Sequence, residues 1–129
     1  MPTVTLVCGG ALAVLMTLLG LNVSRVRMQH KLFVDPAVLP KRLHVAVRAH
    51  GNFTEWVPLF VVMMLLVELG GGAKTPLWIA GGVLFSSRLI HATGLLTKLP
   101  VAALGAAGTW LAGLWLGGWS VALGLGLLK

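Results

Sequence analysis

Charged side chains are scarce in this sequence of 129 residues: they make up 10% of it, against 57% hydrophobic residues. A soluble domain carries about 25% charged residues, because its surface has to be hydrated. So few charges exclude an ordinary soluble domain and indicate lipid as the surrounding solvent. The length is also too short for two domains, so we expect a single domain over residues 1–129.

Acidic residues are the rarest charged class, with three Asp and Glu against ten Lys and Arg, which gives a net charge of +7. Such a balance is also typical of proteins that bind nucleic acid. Here, however, the basic residues cluster in and beside the connections between apolar runs, where they set the orientation of membrane proteins. We therefore expect a lipid bilayer, and no nucleic acid, among the partners.

Cysteine is nearly absent and tyrosine is entirely absent, since Cys8 is the single cysteine of the chain. One cysteine excludes an intrachain disulfide, and Cys8 stands in an apolar run as a small hydrophobic residue. His44 and His50 are six residues apart, near opposite faces of a helix, with no cysteine close to them. The sequence therefore predicts no metal site.

Four apolar runs account for most of the chain, over residues of about 3–23, 42–69, 77–96 and 101–128. A helix needs about 20 residues to cross the hydrocarbon core of a bilayer. The second run reaches that length only if RAHGNFTE is helical, so its helix is expected to begin near Lys41. The first run lacks a preceding basic residue, so we expect a retained span and not a signal peptide. The sequence thus predicts an all-α protein, an integral membrane four-helix bundle.

The connections predict how the spans are arranged. The first connection is the longest and holds Pro36 and Pro40, which break helices, whereas TKLP is short and makes the third and fourth helices antiparallel neighbours. Five of the ten Lys and Arg residues flank the first connection and Lys98 lies in the third, while the opposite side has only Lys74 and Lys129. The five are Arg25, Arg27, Lys31, Lys41 and Arg42. The positive-inside rule then places the first and third connections in the cytoplasm and both termini outside.

The fourth run has a small residue at every fourth position, at Gly105, Thr109, Gly113 and Gly117. This spacing allows two membrane helices to approach closely, although the sequence does not identify the partner helix. Pro58 is expected to bend the helix of the second run.

Polar residues of the second run form a stripe. Because each helical residue turns by about 100°, Arg48, Asn52 and Glu55 share one face, which His44 and Lys41 extend, while His50 points to roughly the opposite side.

The third run repeats this feature, since Arg88 and His91 are three residues apart and share a face. An arginine, lysine or aspartate at membrane depth costs about 2.5 to 3.5 kcal/mol, so such groups face protein or a water-filled cavity. Two structural explanations remain open: an ion pair between Arg48 and Glu55, and an Arg88 side chain that extends to the headgroups. Taken together, two arginines around one carboxylate favour an anion, and a short zwitterionic peptide matches these charges.

The stretches RAHGNFTEWVPLF and SSRLIHATGLL resemble the MAPEG family, the membrane-associated proteins in eicosanoid and glutathione metabolism. The chain length, the four spans and the basic first connection are similar to those of the small bacterial-type members. The resemblance covers nearly the whole chain and implies a homotrimer, expected in the bacterial inner membrane. It also implies glutathione, as co-substrate or ligand, bound between subunits near the cytoplasmic side.

The resemblance further implies a set of glutathione-binding residues, namely Arg25, Arg48, His50, Asn52, Glu55, Arg88 and His91. Arg27 is the alternative to Arg25 as the basic residue after the first span. Family enzymes often have a tyrosine four residues after the position of His91, where this chain has Leu95, and an arginine or serine at the start of the fourth helix. Neither is present, so the groups that stabilise a thiolate are not matched.

Two functions are consistent with these residues. The first is a membrane glutathione transferase or peroxidase for lipophilic electrophiles, with Arg88 or Arg25 as the candidate catalytic cation that lowers the thiol pKa. The second is a non-catalytic membrane protein that binds glutathione or another small anion, or a purely structural trimer. The missing tyrosine favours the second, and the sequence leaves open whether the chain is an enzyme.

Overall fold

Four helices build the protein in the computed structural model, which describes residues 1–29 and 40–128. The helices are α1 (Thr3–Gln29), α2 (Lys41–Leu69), α3 (Lys74–Thr97) and α4 (Ala102–Gly124), and these two ranges contain no strand. This confirms the all-α four-helix prediction, and α2 does include RAHGNFTE. Lys31, Pro36 and Lys129 lie outside the described residues.

The helix ends follow from local sequence. After α2, the N–H groups of Gly70 and Gly72 donate to the carbonyls of Leu66 and Val67, both at 2.8 Å, and Gly71 between them has φ 85°. Such a positive φ suits glycine, which has no Cβ. Pro76 lies in the first turn of α3, where its missing N–H is not needed. Pro58 is accommodated inside the continuous helix α2.

Glu68 fixes α1 and α2 as an antiparallel pair. Its carboxylate, near the end of α2, accepts hydrogen bonds from the backbone N–H groups of Val4 at 2.9 Å and Thr5 at 2.8 Å, and from the Thr5 hydroxyl at 2.8 Å. The first N–H groups of a helix have no partner within it, so this carboxylate caps α1 from a neighbouring helix. The sequence analysis did not identify this contact.

Small residues bring α4 onto α3. A Cβ at Gly105 would overlap the backbone of His91 and Ser87, and one at Gly94 would lie 2.5 Å from the backbone nitrogen of Ala102. Gly113 instead accommodates the ring of Phe60 from α2, while nothing lies within 4 Å of a Cβ built at Gly117. The small residues of α4 therefore pack against two different helices, α3 and α2. A Cβ at Gly117, the last of them, would contact neither.

The exterior of the bundle is apolar, as lipid requires. Leucines such as Leu6, Leu59 and Leu114 are exposed, while Phe53 and Leu84 are fully buried in the core. Within the described residues, α1, α2 and α3 are long and apolar enough to cross a membrane. The helix α4 has 23 residues and no charged residue, and a fourth span stays a prediction.

Candidate functional site

The polar stripe of α2 lies on its outer face. Lys41, His44, Arg48 and Glu55 are exposed and Asn52 is half-buried, whereas the opposite face of α2 forms the core. The same line along the helix continues as exposed apolar residues, namely Leu59, Val62 and Leu66. The row changes from polar to apolar along α2. Its polar part therefore lies at the basic end of the bundle, the end that carries Arg25, Arg27, Lys41, Arg42 and Lys98.

Arg88 is buried inside the chain, with 2% of its surface exposed. Its guanidinium carbon lies 5.5 Å from the centre of the Phe53 ring, and Nη1 donates a long hydrogen bond of 3.4 Å to the Thr109 hydroxyl. Among the described residues, nothing accepts a hydrogen bond from Nε or Nη2. Glu55 does not bond to either of these two nitrogens. The guanidinium therefore has donors left for an acceptor of opposite charge.

His91 connects three helices and has a defined tautomer when neutral. Its Nδ1 lies 2.8 Å from the carbonyl oxygen of Ala102 at the start of α4, and because a carbonyl only accepts, Nδ1 has the hydrogen. Nε2 is then the acceptor for the Asn52 amide nitrogen, 3.2 Å away on α2. The contact orients Asn52 at the boundary between the exposed stripe and the buried cluster.

The remaining candidates lie apart from this cluster. Arg25 is exposed near the end of α1. His50 turns toward α1, where its ring contacts the Gly20 position, and its Nδ1 is buried with no hydrogen-bond partner among the described residues. His50 therefore points away from the polar stripe of α2, as its spacing along the helix predicts.

The structure thus brings Asn52, Arg88 and His91 together and leaves Arg48 and Glu55 on the adjacent outer face. Phe53 and Thr109 complete the surroundings of Arg88, and the sequence analysis did not assign them to the site. Thr109 was identified only as a small residue of α4. Its hydroxyl donates to the Gly105 carbonyl at 2.8 Å, which leaves its oxygen as an acceptor for Arg88.

Leu95, at the position where a tyrosine would stand, is half-buried and packs against the hydrophobic core. No group of His, Cys, Asp and Glu side chains that is suited to a metal ion occurs in residues 1–29 and 40–128.

An apolar exterior, together with a buried arginine and histidine and a half-buried asparagine between α2, α3 and α4, defines a membrane protein with a polar site suited to an anionic group. The chain belongs to the MAPEG family, whose model matches residues 5–122. This confirms the family predicted from the two sequence stretches.

Similar proteins agree with a membrane location. The chain is 33% identical over 87 residues to the inner membrane protein YecN of Escherichia coli strain K12, and equally to that of strain CFT073. The match covers 67% of this chain and 66% of each relative. The names of these relatives state a location and no activity. No solved structure matches the chain.

Proposed function

We propose that the protein binds glutathione at the boundary between the polar stripe of α2 and the cluster of Asn52, Arg88 and His91. The observation that supports this most directly is the free hydrogen-bonding capacity of Arg88, since Nε and Nη2 have no acceptor among the described residues. A buried cation without a partner is costly, and a carboxylate of the ligand relieves that cost. Membership of the MAPEG family supports glutathione as the anion.

The exposed part of the stripe supplies complementary groups. Arg48 offers a second cation for a carboxylate, Glu55 offers an anion for the ligand's amine, and Asn52 donates and accepts as a peptide bond requires. Glutathione has two carboxylates, one amine and two peptide bonds, so its charges match this arrangement. A reorientation of the Arg88 side chain toward the stripe is part of the proposal, because Arg88 is buried in the single chain.

We further propose that the site is completed by a second copy of the chain in a homotrimer. Arg48 and Glu55 lie on the outer face of α2, in a row that continues as Leu59, Val62 and Leu66. A row that begins polar and becomes apolar suits a contact with another protein chain better than uniform contact with lipid. Arg25, exposed on α1, is then available to a ligand held by a neighbouring subunit.

The proposed reaction is conjugation of the glutathione thiol to a lipophilic electrophile, or reduction of a lipophilic peroxide. In conjugation the thiol loses its proton to solvent, its sulfur forms a bond to the electrophilic carbon, and the leaving group departs with the electron pair. In peroxide reduction, two glutathione molecules are oxidised to a disulfide while the peroxide is reduced to an alcohol and water. Arg88 and Arg25 are the candidate cations that stabilise the thiolate.

A non-catalytic glutathione-binding protein is the second candidate. The chain has no tyrosine, and Leu95 offers no hydroxyl four residues after His91. Without a hydroxyl at that position, a bound thiol has fewer hydrogen-bond donors.

One experiment on purified protein in detergent separates the candidates. Thermal unfolding is measured with glutathione and with S-hexylglutathione, and turnover is measured with a chromogenic halonitrobenzene and with a lipid peroxide. Stabilisation with turnover above the buffer rate establishes the enzyme, whereas stabilisation without turnover establishes the binding protein. No stabilisation by either ligand would overturn the glutathione proposal.

The proposed location is the bacterial inner membrane, with the basic end of the bundle in the cytoplasm. The relatives are named as inner membrane proteins, and Arg25, Arg27, Lys41, Arg42 and Lys98 all lie at one end.

A further inference from the structure

A cavity of about 520 Å³ lies between α1, α2 and α3 at the end of the bundle opposite Glu68. Its polar lining consists of Asn22 of α1, Lys41 and Arg42 at the start of α2, and Lys98 directly after α3. Among the described residues that line it, none is acidic, and none belongs to the cluster of Asn52, Arg88 and His91. Three cations from two parts of the chain therefore surround a space that the glutathione proposal does not use.

The start of α2 adds positive potential to this cavity. The residue before it is Pro40, which makes no side-chain capping bond, and the first turn has no acidic residue. A helix N-terminus has a partial positive charge, so Lys41 and Arg42 are unfavourable there in the absence of an anion. An anion in the cavity would reduce the electrostatic repulsion among Lys41, Arg42, Lys98 and the positive N-terminus of α2.

Lys98 has a backbone conformation that stability alone does not favour. It ends α3 with φ 61°, and it is the one residue other than glycine with positive φ in residues 1–29 and 40–128. Glycine is the usual residue in this conformation after a helix, because a Cβ is disfavoured there. A lysine at such a position points to a role for its side chain.

The other wall of the cavity is apolar and contains Val26, Val45 and Leu96. A free phosphate ion makes no favourable contact with an apolar wall. A phospholipid has a charged headgroup that fits the cations and an apolar tail that fits the wall. The cavity also lies at the ends of three helices that are able to cross a membrane, at the level where headgroups are found.

We propose that this cavity binds an anionic phospholipid, whose phosphate contacts Lys41, Arg42 and Lys98 and whose apolar part lies against Val26, Val45 and Leu96. The site is separate from the glutathione site, and neither proposal depends on the other. A bound lipid would join the start of α2 to the end of α3.

Native mass spectrometry of the purified protein in a maltoside detergent tests this proposal. The protein is titrated with dioleoylphosphatidylglycerol, with dioleoylphosphatidylcholine and with glycerol 3-phosphate. We expect one phosphatidylglycerol per chain to bind in preference to the other two, and Lys41→Gln to weaken this binding about fivefold, as does Lys98→Gln.

Lys98→Gly and Arg27→Gln are the discriminating variants. Because glycine relieves the backbone conformation, Lys98→Gly should keep or raise the unfolding temperature while phosphatidylglycerol binds about fivefold more weakly. Arg27 is exposed at the same end but does not line the cavity, so Arg27→Gln should retain the wild-type affinity.

Several results would overturn the proposal. An equal loss of affinity in Arg27→Gln would show diffuse attraction to the basic end, and equal binding of phosphatidylcholine would exclude recognition of the negative charge. Equal binding of glycerol 3-phosphate would assign the cavity to a soluble phosphate compound. Unchanged lipid affinity in both Lys98→Gly and Lys98→Gln would remove Lys98 from the site. Stabilisation by glutathione, measured on Lys98→Gly and Lys98→Gln, should stay at the wild-type level.

Discussion

At the scale of single residues, burial separates side chains of the same chemical type. Arg48 is exposed on α2, whereas Arg88 is 2% exposed and contacts Phe53 and Thr109. Glu55 is exposed beside the site, whereas Glu68 accepts three hydrogen bonds at the start of α1. These two contrasts allow binding and stability to be tested separately.

Arg88→Met should make the protein more stable and abolish glutathione binding. The buried guanidinium has unused donors, and apolar residues of similar volume that replace buried ion pairs leave stability unchanged or raise it by about 1 to 4 kcal/mol. Chemical unfolding in detergent, followed by tryptophan fluorescence, measures the first effect, and ligand-induced thermal stabilisation measures the second. Arg48→Met is the control, which should lose binding without gaining stability. A less stable Arg88→Met variant would contradict the assignment of Arg88 to a ligand.

Glu68→Gln should affect stability, whereas Glu55→Gln should affect glutathione binding. Loss of the carboxylate charge weakens the cap on α1, so Glu68→Gln should lower the free energy of unfolding by about 0.5 to 2 kcal/mol and retain glutathione binding. Glu55→Gln should retain stability and lose affinity for glutathione. Unfolding curves and calorimetric titration on both variants provide the comparison, and equal effects of the two substitutions would refute it.

At the scale of helices, backbone approach decides where α4 lies. Gly105 contacts the backbone of α3 next to His91, and His91 in turn bonds the carbonyl of Ala102. The packing of α4 therefore determines the orientation of the imidazole and, through it, of Asn52.

Gly105→Ala should destabilise the protein by about 1 to 3 kcal/mol, because the added methyl group meets main-chain atoms that are unable to move aside. The change should also weaken glutathione binding by displacing His91. Gly117→Ala is the matched control, since its Cβ has open space and alanine gains up to about 1 kcal/mol of helix propensity. Thermal unfolding of both variants in detergent is the measurement, and equal stability of the two would contradict this packing.

At the scale of the whole molecule, α2 presents a continuous outer row. The row begins with Lys41 and His44 at the basic end and finishes with Val62 and Leu66 toward the other. Its spacing of three and four residues is that of a helix seam against another helix. A single bundle leaves this row uncovered.

Leu59→Trp should disrupt assembly of the proposed trimer, because a larger side chain in the seam separates the neighbouring helices. Leu18→Trp, on the exposed face of α1, should be tolerated because lipid accommodates the added volume. Native mass spectrometry in mild detergent should show three chains for the wild type and for Leu18→Trp, and smaller species for Leu59→Trp. Three chains in both variants would show that this row is not the interface.

Much of the fold was predictable because lipid restricts the alternatives. In hydrocarbon every backbone polar group has to bond within the chain, so long apolar runs predict helices directly. Helical spacing likewise placed Arg48, Asn52 and Glu55 on one face and His50 on the other. The bond between Asn52 and His91, the contact of Arg88 with Thr109 and the cap formed by Glu68 were not predictable. They join residues that are far apart in the chain, and their formation depends on how the helices are rotated.

The sequence by itself determined the class of protein, the four helices and the polar stripe, because composition and periodicity are local properties. The family followed from the resemblance of two sequence stretches. Only the tertiary structure decided that Arg88 is enclosed while Arg48 is exposed, and that the small residues of α4 contact both α3 and α2. It also placed Lys98 and Asn22 at one cavity with the start of α2. Helix rotation and approach are set by the packing of side chains from the whole bundle, which no single segment of the sequence encodes.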